Sequence, residues 1–327
     1  MNKVYRLIAT ISLMGGTLLT AGVALGQSYP SRPIRIIVPY APGGTTDIVG
    51  RQVGQRLSEA LGQPVVIENR SGGNTAIGAD AVAKAAPDGH TLLFTNDATF
   101  VLNPVLFNSL PYNVNRDFAP VATVTYVALA LVVNSSVPVN SFKELVTYTQ
   151  AKRGSLSYGS FGAGSQPHVM GEMYKKLTGT DLVHVPYKGA GPAVTDVLGG
   201  QLLFTFPAFP TIQGHIKSGK LKVLAVSGDK RVPLAPEVPT FTEAGYADMD
   251  IGAWYAFLAP AGTPKEIVAK LNSAVAGVLA DREFVEKNMT SQGMGPMALT
   301  PDQFADLIRK ETARMARIVK QSGAKVE

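Results

Sequence analysis

Three glycine-rich loops hold most of the residues in this sequence suited to binding a small anion. They are "APGGTTD" (41–47), "GSFGAGSQP" (159–167) and "YKGAGP" (187–192), each between a β-type run and a helical one. A loop that ends at a helix start leaves backbone N–H groups unpaired, with the positive end of the helix dipole behind them. Glycine lets the backbone approach a ligand closely, and the hydroxyls of Thr45, Thr46, Ser160 and Ser165 add donors. Gly43, Gly44, Gly162, Gly164 and Gly189 are therefore candidate contact points for a carboxylate. The plainer reading makes each loop only a tight βα turn. Asp47 suits an anion badly, and is expected to cap its own helix or bond the loop backbone.

Other chemistries find little support. "YGSFG" approaches the G-x-S-x-G nucleophile elbow but has Tyr158 where the first glycine belongs. "GAGSQP" is no dinucleotide fingerprint, because Pro167 falls at the third glycine position. His90, His168, His184 and His215 show no metal-ligand spacing, and there is no cysteine. No catalytic residue, metal or cofactor is expected. The rival to a binding role is a serine hydrolase acting through Ser160 or Ser165, and a sensory subunit could be built on a binding fold as well. His168 either faces a cleft or caps its helix. Trp254, the sole tryptophan, is either core or a ligand platform.

The chain of 327 residues is 46% hydrophobic and 17% charged, long enough for two domains with cores of their own. Lys3 and Arg6 precede an uncharged apolar stretch that ends in "AGVALGQ", which predicts a secretory signal over residues 1–26 and a periplasmic protein. The competing reading of that stretch is a membrane anchor. Removing it lowers the net charge from +6 to +4, and the basic residues are scattered, so a nucleic-acid partner is not expected.

These loops need rigid supports. "IRIIV", "PVVIEN" and "TLLFT" read as strands, separated by a helix ending at Gly62 and another starting near Thr75 with Ile77, Ala81, Val82 and Ala85 on one face. A second series follows. "SFKELVTYTQAK" is a helix capped by Ser141 with Glu144 at the box position. "SLSYGS", "DLVHVPY", "QLLFTF" and "KLKVLAVS" are strands interleaved with helices. The tail carries an aromatic strand at "GAWYAFLAP", then two long helices, the last with Thr300 as cap, Pro301 at its first position and Gln303 closing a capping box. The expectation is an α/β fold of two domains, each a mainly parallel sheet flanked by helices. Domain 1 would span 27–124 plus 255–327, and domain 2 would span 125–254, with a ligand cleft between them.

The segments "YPSRPIRIIVPYAPGGTTDIVGR", "VVIENRSGGNTAIGADAVAKAAPDGHTLLFT", "HVPYKGAGPAVTDVLGGQ", "IKSGKLKVLAVS" and "APAGTP" together resemble the Bug-type periplasmic receptors of tripartite tricarboxylate transporters. The resemblance covers the whole mature chain in the family's order. It implies a Venus-flytrap receptor, a monomer that binds one small organic anion and delivers it to membrane permease subunits. It carries the ligand site onto Tyr40, Ala41, Gly43, Gly44, Thr45, Thr46 and Asp47 in the first loop. Thr95, Asn96 and Asp97 match a second edge. Ser160, Phe161, Gly162, Gly164, Ser165 and His168 match the loop of the other domain, and Lys188 with Gly189 a third. Two departures stand out. Pro207 and Ala208 occupy positions where the family often has an acidic or amide pair, which argues against an amino-acid ligand. Pro167 before His168 is also unusual.

Overall fold

The computed structural model describes residues 29–152 and 154–326. The expected leader at 1–26 lies outside the described residues. Ile34–Val38 (β1) buries Ile34, Ile36, Ile37 and Val38, the near-continuous apolar run of a strand covered on both faces. Thr45–Leu61 (α1) buries Val49, Val53 and Leu57 at helical spacing, and Gly62, at φ 68°, ends it by donating its N–H to Ser58 O. Val65–Asn69 (β2), Ala76–Ala83 (α2) and Thr91–Asn96 (β3) follow. On α2 the buried residues are Gly78, Ala79 and Val82, whereas Ile77 is 57% exposed. The expected face is rotated because the helix presses Gly78 onto the first loop: a Cβ there would lie 2.7 Å from Pro39 Cβ.

A wide helical turn at Ala98–Leu102 and two short helices, Asn103–Leu106 (α3) and Val114–Asp117 (α4), lead into Phe118–Val127 (β4). The second series is Ala130–Asn134 (β5), Phe142–Ala151 (α5), Ser157–Ser160 (β6), Gln166–Thr178 (α6), Val183–Pro186 (β7), Ala190–Leu198 (α7), Phe204–Thr205 (β8), Phe209–Lys217 (α8) and Leu221–Val226 (β9). The tail is Ala253–Pro260 (β10), Lys265–Ala280 (α9), Arg282–Asn288 (α10), Met294–Pro296 (β11) and Pro301–Ser322 (α11). Ser141 and Thr300 cap α5 and α11 as their spacing predicts, and Gln303 completes the box at Thr300.

Two sheets result, ordered β11-β4-β10-β3-β1-β2 and β7-β6-β8-β5-β9, with helices around each. This is the two-domain α/β architecture expected. The sheets themselves are mixed rather than mainly parallel. β1 runs parallel to β2 and β3, and β6 to β7 and β8. β10 is antiparallel to β3 and β4, β11 to β4, and β5 to β8 and β9. Direction follows from connection. β1, β3 and β6 end at the loops that meet between the sheets. A strand arriving from the other half, β5 or β10, starts at that same end and must run the opposite way. Both sheets point the carboxyl ends of their parallel strands at one another, which is where the site forms.

Candidate ligand cleft between the two sheets

The loop after β1 touches the start of α7. Ala41 N–H donates to Lys188 O at 2.8 Å, and the hydroxyls of Thr45 and Thr211 lie 3.0 Å apart. Glycine makes this approach possible. A Cβ on Gly191 would stand 2.8 Å from Pro42 O, and one on Gly189, whose φ is 150°, 3.3 Å from Ala41 N. A Cβ on Gly44 would rest against Ala190 Cβ at 3.4 Å. Beside this junction lies a cavity of about 320 Å³ whose walls come from both halves, among them Tyr40, Thr75, Phe161, Gly162 and Lys188.

Asp47 holds the first loop in shape, as its position behind the glycines suggests. Its carboxylate accepts from Gly43 N–H at 3.1 Å and Asn69 Nδ2 at 3.0 Å, and pairs with Arg51 at 2.9 Å. Burial works to raise its pKa, but the bonds from Arg51, Gly43 and Asn69 outweigh it and hold the carboxyl below its ordinary value. Asp47→Asn should therefore cost about 1.5–3 kcal/mol of stability at neutral pH, the range for hydrogen bonds to a charged group. The pKa is depressed in the folded state, so the contribution is present above the usual carboxylate range. It is lost as pH falls through the lowered folded value, and the gap between variant and wild type should shrink there. Urea denaturation of both proteins at pH 7 and pH 3 reads this directly.

The 159–167 loop is locked by its own side chains. Ser165 Oγ donates to Gly162 O at 2.7 Å and accepts from Phe161 N–H at 3.2 Å. Ser160 Oγ lies 3.0 Å from the same carbonyl and 2.7 Å from His184 Nε2. Both serines are fully buried. His168 accepts from Gly164 N–H at 3.0 Å through Nδ1 and stacks on His184 with ring centroids 4.1 Å apart. His168 thus ties down its own loop, the capping role rather than the cleft-facing one. Burial lowers the pKa of His168, and burial with the neighbouring His168 lowers that of His184 to about 3. The histidine beside Ser160 is therefore neutral at physiological pH. The positive φ values of Gly162 (140°) and Gly164 (92°) fit their positions. Their Cα atoms face Asn74 of the first half, and an added Cβ would come within 2.9 Å of Asn74 Oδ1 or of Phe107.

The second edge of the first domain crosses the cleft by a chain of hydrogen bonds. Tyr40 OH donates to Asn96 Oδ1 at 2.8 Å, and Gln166 Nε2 at the head of α6 donates to Asp97 Oδ1 at 2.6 Å. Asn96 Nδ2 approaches Gln166 Oε1 at 3.4 Å. Thr95 turns away, its hydroxyl 2.6 Å from that of Thr99 inside the first half. Pro207 and Ala208 pair with the strand connection instead: Pro207 O accepts from Ala130 N–H at 2.8 Å, and Ala208 forms a bridge with Leu129. Trp254 is core, packed between Phe100 and Phe304 at centroid distances of 4.8 and 5.6 Å. The exposed Lys188 side chain rims the cavity while its carbonyl makes the contact.

Gln166, Asn74, Thr75, Gly191 and Thr211 all contact or line the cleft without having stood out in the sequence. Gln166 lies inside the quoted loop, but no spacing rule separates it from a turn residue. Asn74 and Thr75 have φ of 44° and 76°, a conformation that a β-branched residue rarely adopts and that nothing in "GGNT" announces.

Two α/β halves linked by crossing strands, with glycine loops meeting at the carboxyl ends of both sheets, define a periplasmic-binding-protein, or Venus-flytrap, receptor. The family described as Tripartite tricarboxylate transporter family receptor matches residues 49–324. The chain belongs to that family. It is similar to protein BugT of Bordetella pertussis, with 38% identity over 323 residues, covering 98% of this chain and 99% of that one. An R. palustris protein solved with adipate shares 34% identity at a TM-score of 0.88, covering 91% of this chain and 100% of that chain. MatC from Rhodopseudomonas palustris with bound malate shares 33% identity at a TM-score of 0.84, covering 89% and 100%.

Proposed function

We propose that this receptor captures a small mono- or dicarboxylate in the cleft and passes it to the permease subunits of a tripartite transporter. In this reading it acts as a periplasmic monomer released by cleavage after residue 26, and binds without turnover. The 27–124 plus 255–327 and 125–254 halves close on the ligand as two bodies. The observation that carries the reading is the close meeting of the 41–46 loop with the 188–191 segment, beside a cavity walled by both halves. Its recognition is dominated by backbone and small side chains, with no dedicated arginine. The relatives bound to adipate and malate support a carboxylate ligand.

A thermal-shift screen over malate, adipate, citrate, aromatic acids, acidic amino acids and sugars tests it. A carboxylate at a hundredfold excess over its Kd stabilises the folded protein by about 2.7 kcal/mol and raises the melting temperature. Shifts with sugars alone would refute the carboxylate assignment. Lys188→Ala should weaken binding of the best acid by about 1 kcal/mol or less, since an exposed ammonium contributes little. A loss of tenfold or more would instead make Lys188 a clamp. Ester hydrolysis that disappears in Ser160→Ala or Ser165→Ala would replace the receptor reading with a hydrolase.

A further inference from the structure

Asp97 is a carboxyl group placed where a flytrap must seal. It stands at the end of β3, 1% exposed, between the first half and the head of α6 in the second. Its Oδ1 accepts from Gln166 Nε2 at 2.6 Å across the cleft, and from Trp254 N–H at 3.3 Å on the returning strand. Asp97 N–H in turn donates to Trp254 O at 3.0 Å. Gln166 is likewise 1% exposed and also reaches Asn96. One side-chain amide of the second half is thus seated between two adjacent residues of the first. Among the described residues no other ionisable side chain hydrogen-bonds Asp97 or Gln166, so the latch carries a titratable group on one side and a neutral amide on the other.

From this geometry we infer that Asp97 and Gln166 form a proton-sensitive latch, so that closure of the cleft takes up a proton and weakens as the solution becomes more alkaline. The inference rests on the receptor reading and adds a regulation of the same cleft. Around Asp97 stand three tyrosines that stay un-ionised, one carboxylate and two amides. Tyr40 at the end of β1, Tyr255 on β10 and Tyr126 on β4 are near it, each with its own pKa raised chiefly by burial and further by Asp97. Glu311 on α11 adds negative potential, while the amides of Trp254 and Gln166 oppose it. Burial is the largest influence and lifts the Asp97 pKa to about 7. Opening withdraws α6 and admits water, which returns the carboxyl toward its ordinary range near about 3.9. The closed form therefore holds the proton more tightly. The advantage to closure is complete below the open-state pKa and is lost as pH rises through about 7. Between those values the closed-to-open ratio falls by up to about tenfold per pH unit.

Small-angle scattering on the ligand-free mature protein at pH 5 and pH 8.5 tests the latch without needing to know the ligand. The wild type should show a smaller radius of gyration at pH 5. Asp97→Asn keeps the acceptor oxygen but cannot ionise, and should be as compact at pH 8.5 as at pH 5. Gln166→Ala keeps the titrating group but removes its partner, and should be more open than wild type at pH 5. A wild-type radius that does not change with pH, or an Asp97→Asn variant that keeps the full pH swing, would overturn the latch. Neither result bears on the thermal-shift screen, so failure of the latch and failure of the carboxylate assignment are separable.

Discussion

Gly191→Ala should leave the protein folded and weaken ligand binding by roughly 5- to 150-fold, the equivalent of about 1–3 kcal/mol. Gly191 is the second residue of α7. Alanine there favours the helix, since glycine in a helix interior is about 1 kcal/mol less favourable than alanine. The second half alone should not suffer. The obstacle lies across the cleft, where the new methyl would stand 2.8 Å from Pro42 O and 3.5 Å from Gly43 C. Both are backbone atoms of a loop pinned by Asp47, so neither can swing aside. The cheap relief is for the halves to part, which undoes the contact between Ala41 and Lys188 and keeps the ligand in water. Calorimetric titration with the best acid from the screen, beside a melting curve of the free variant, checks both halves of the expectation. Undiminished affinity would mean that the ligand-bound state does not use this closed contact.

Gly171→Ala should do the opposite, lowering stability by about 3 kcal/mol while touching no part of the cleft directly. Gly171 lies within α6, where alanine would ordinarily help. Its Cβ, however, would fall 2.0 Å from Tyr158 Cε2 and 2.3 Å from Cζ. The Tyr158 ring has no room to move. It is fully buried and stacked between His184 and Phe204, and its hydroxyl donates to Glu172 at 2.7 Å. Inserting a methyl either breaks that bond or lifts α6 off β6. Since α6 carries Gln166 and His168, a lifted helix would loosen the cleft as a secondary effect. A urea denaturation midpoint equal to or above that of wild type would show that the ring yields more easily than its packing implies.

The elements with strong periodicity were legible in the amino-acid sequence. β1, α1, α5 and α11 carry apolar spacing and capping signals that act within a few residues of chain, and they stand where those signals put them. The glycine loops were legible for the same reason, because strand, glycines and helix start adjoin in the chain. Ile77 lies off the buried face of α2 because the short helix is oriented by Gly78 against Pro39, a contact between segments far apart in sequence. The strand directions of β5 and β10 also depend on a distant fact, the end of the sheet at which the chain re-enters. Within the site, the roles of individual polar groups were the least visible. Ser160, Ser165 and His168 turn inward to hold their own loop, and Asp97 finds its partner in Gln166, 69 positions away. A hydroxyl, an imidazole or an amide bonds whichever group the folded chain leaves within about 3 Å, and only the tertiary packing, within a loop or between the halves, determines which group that is.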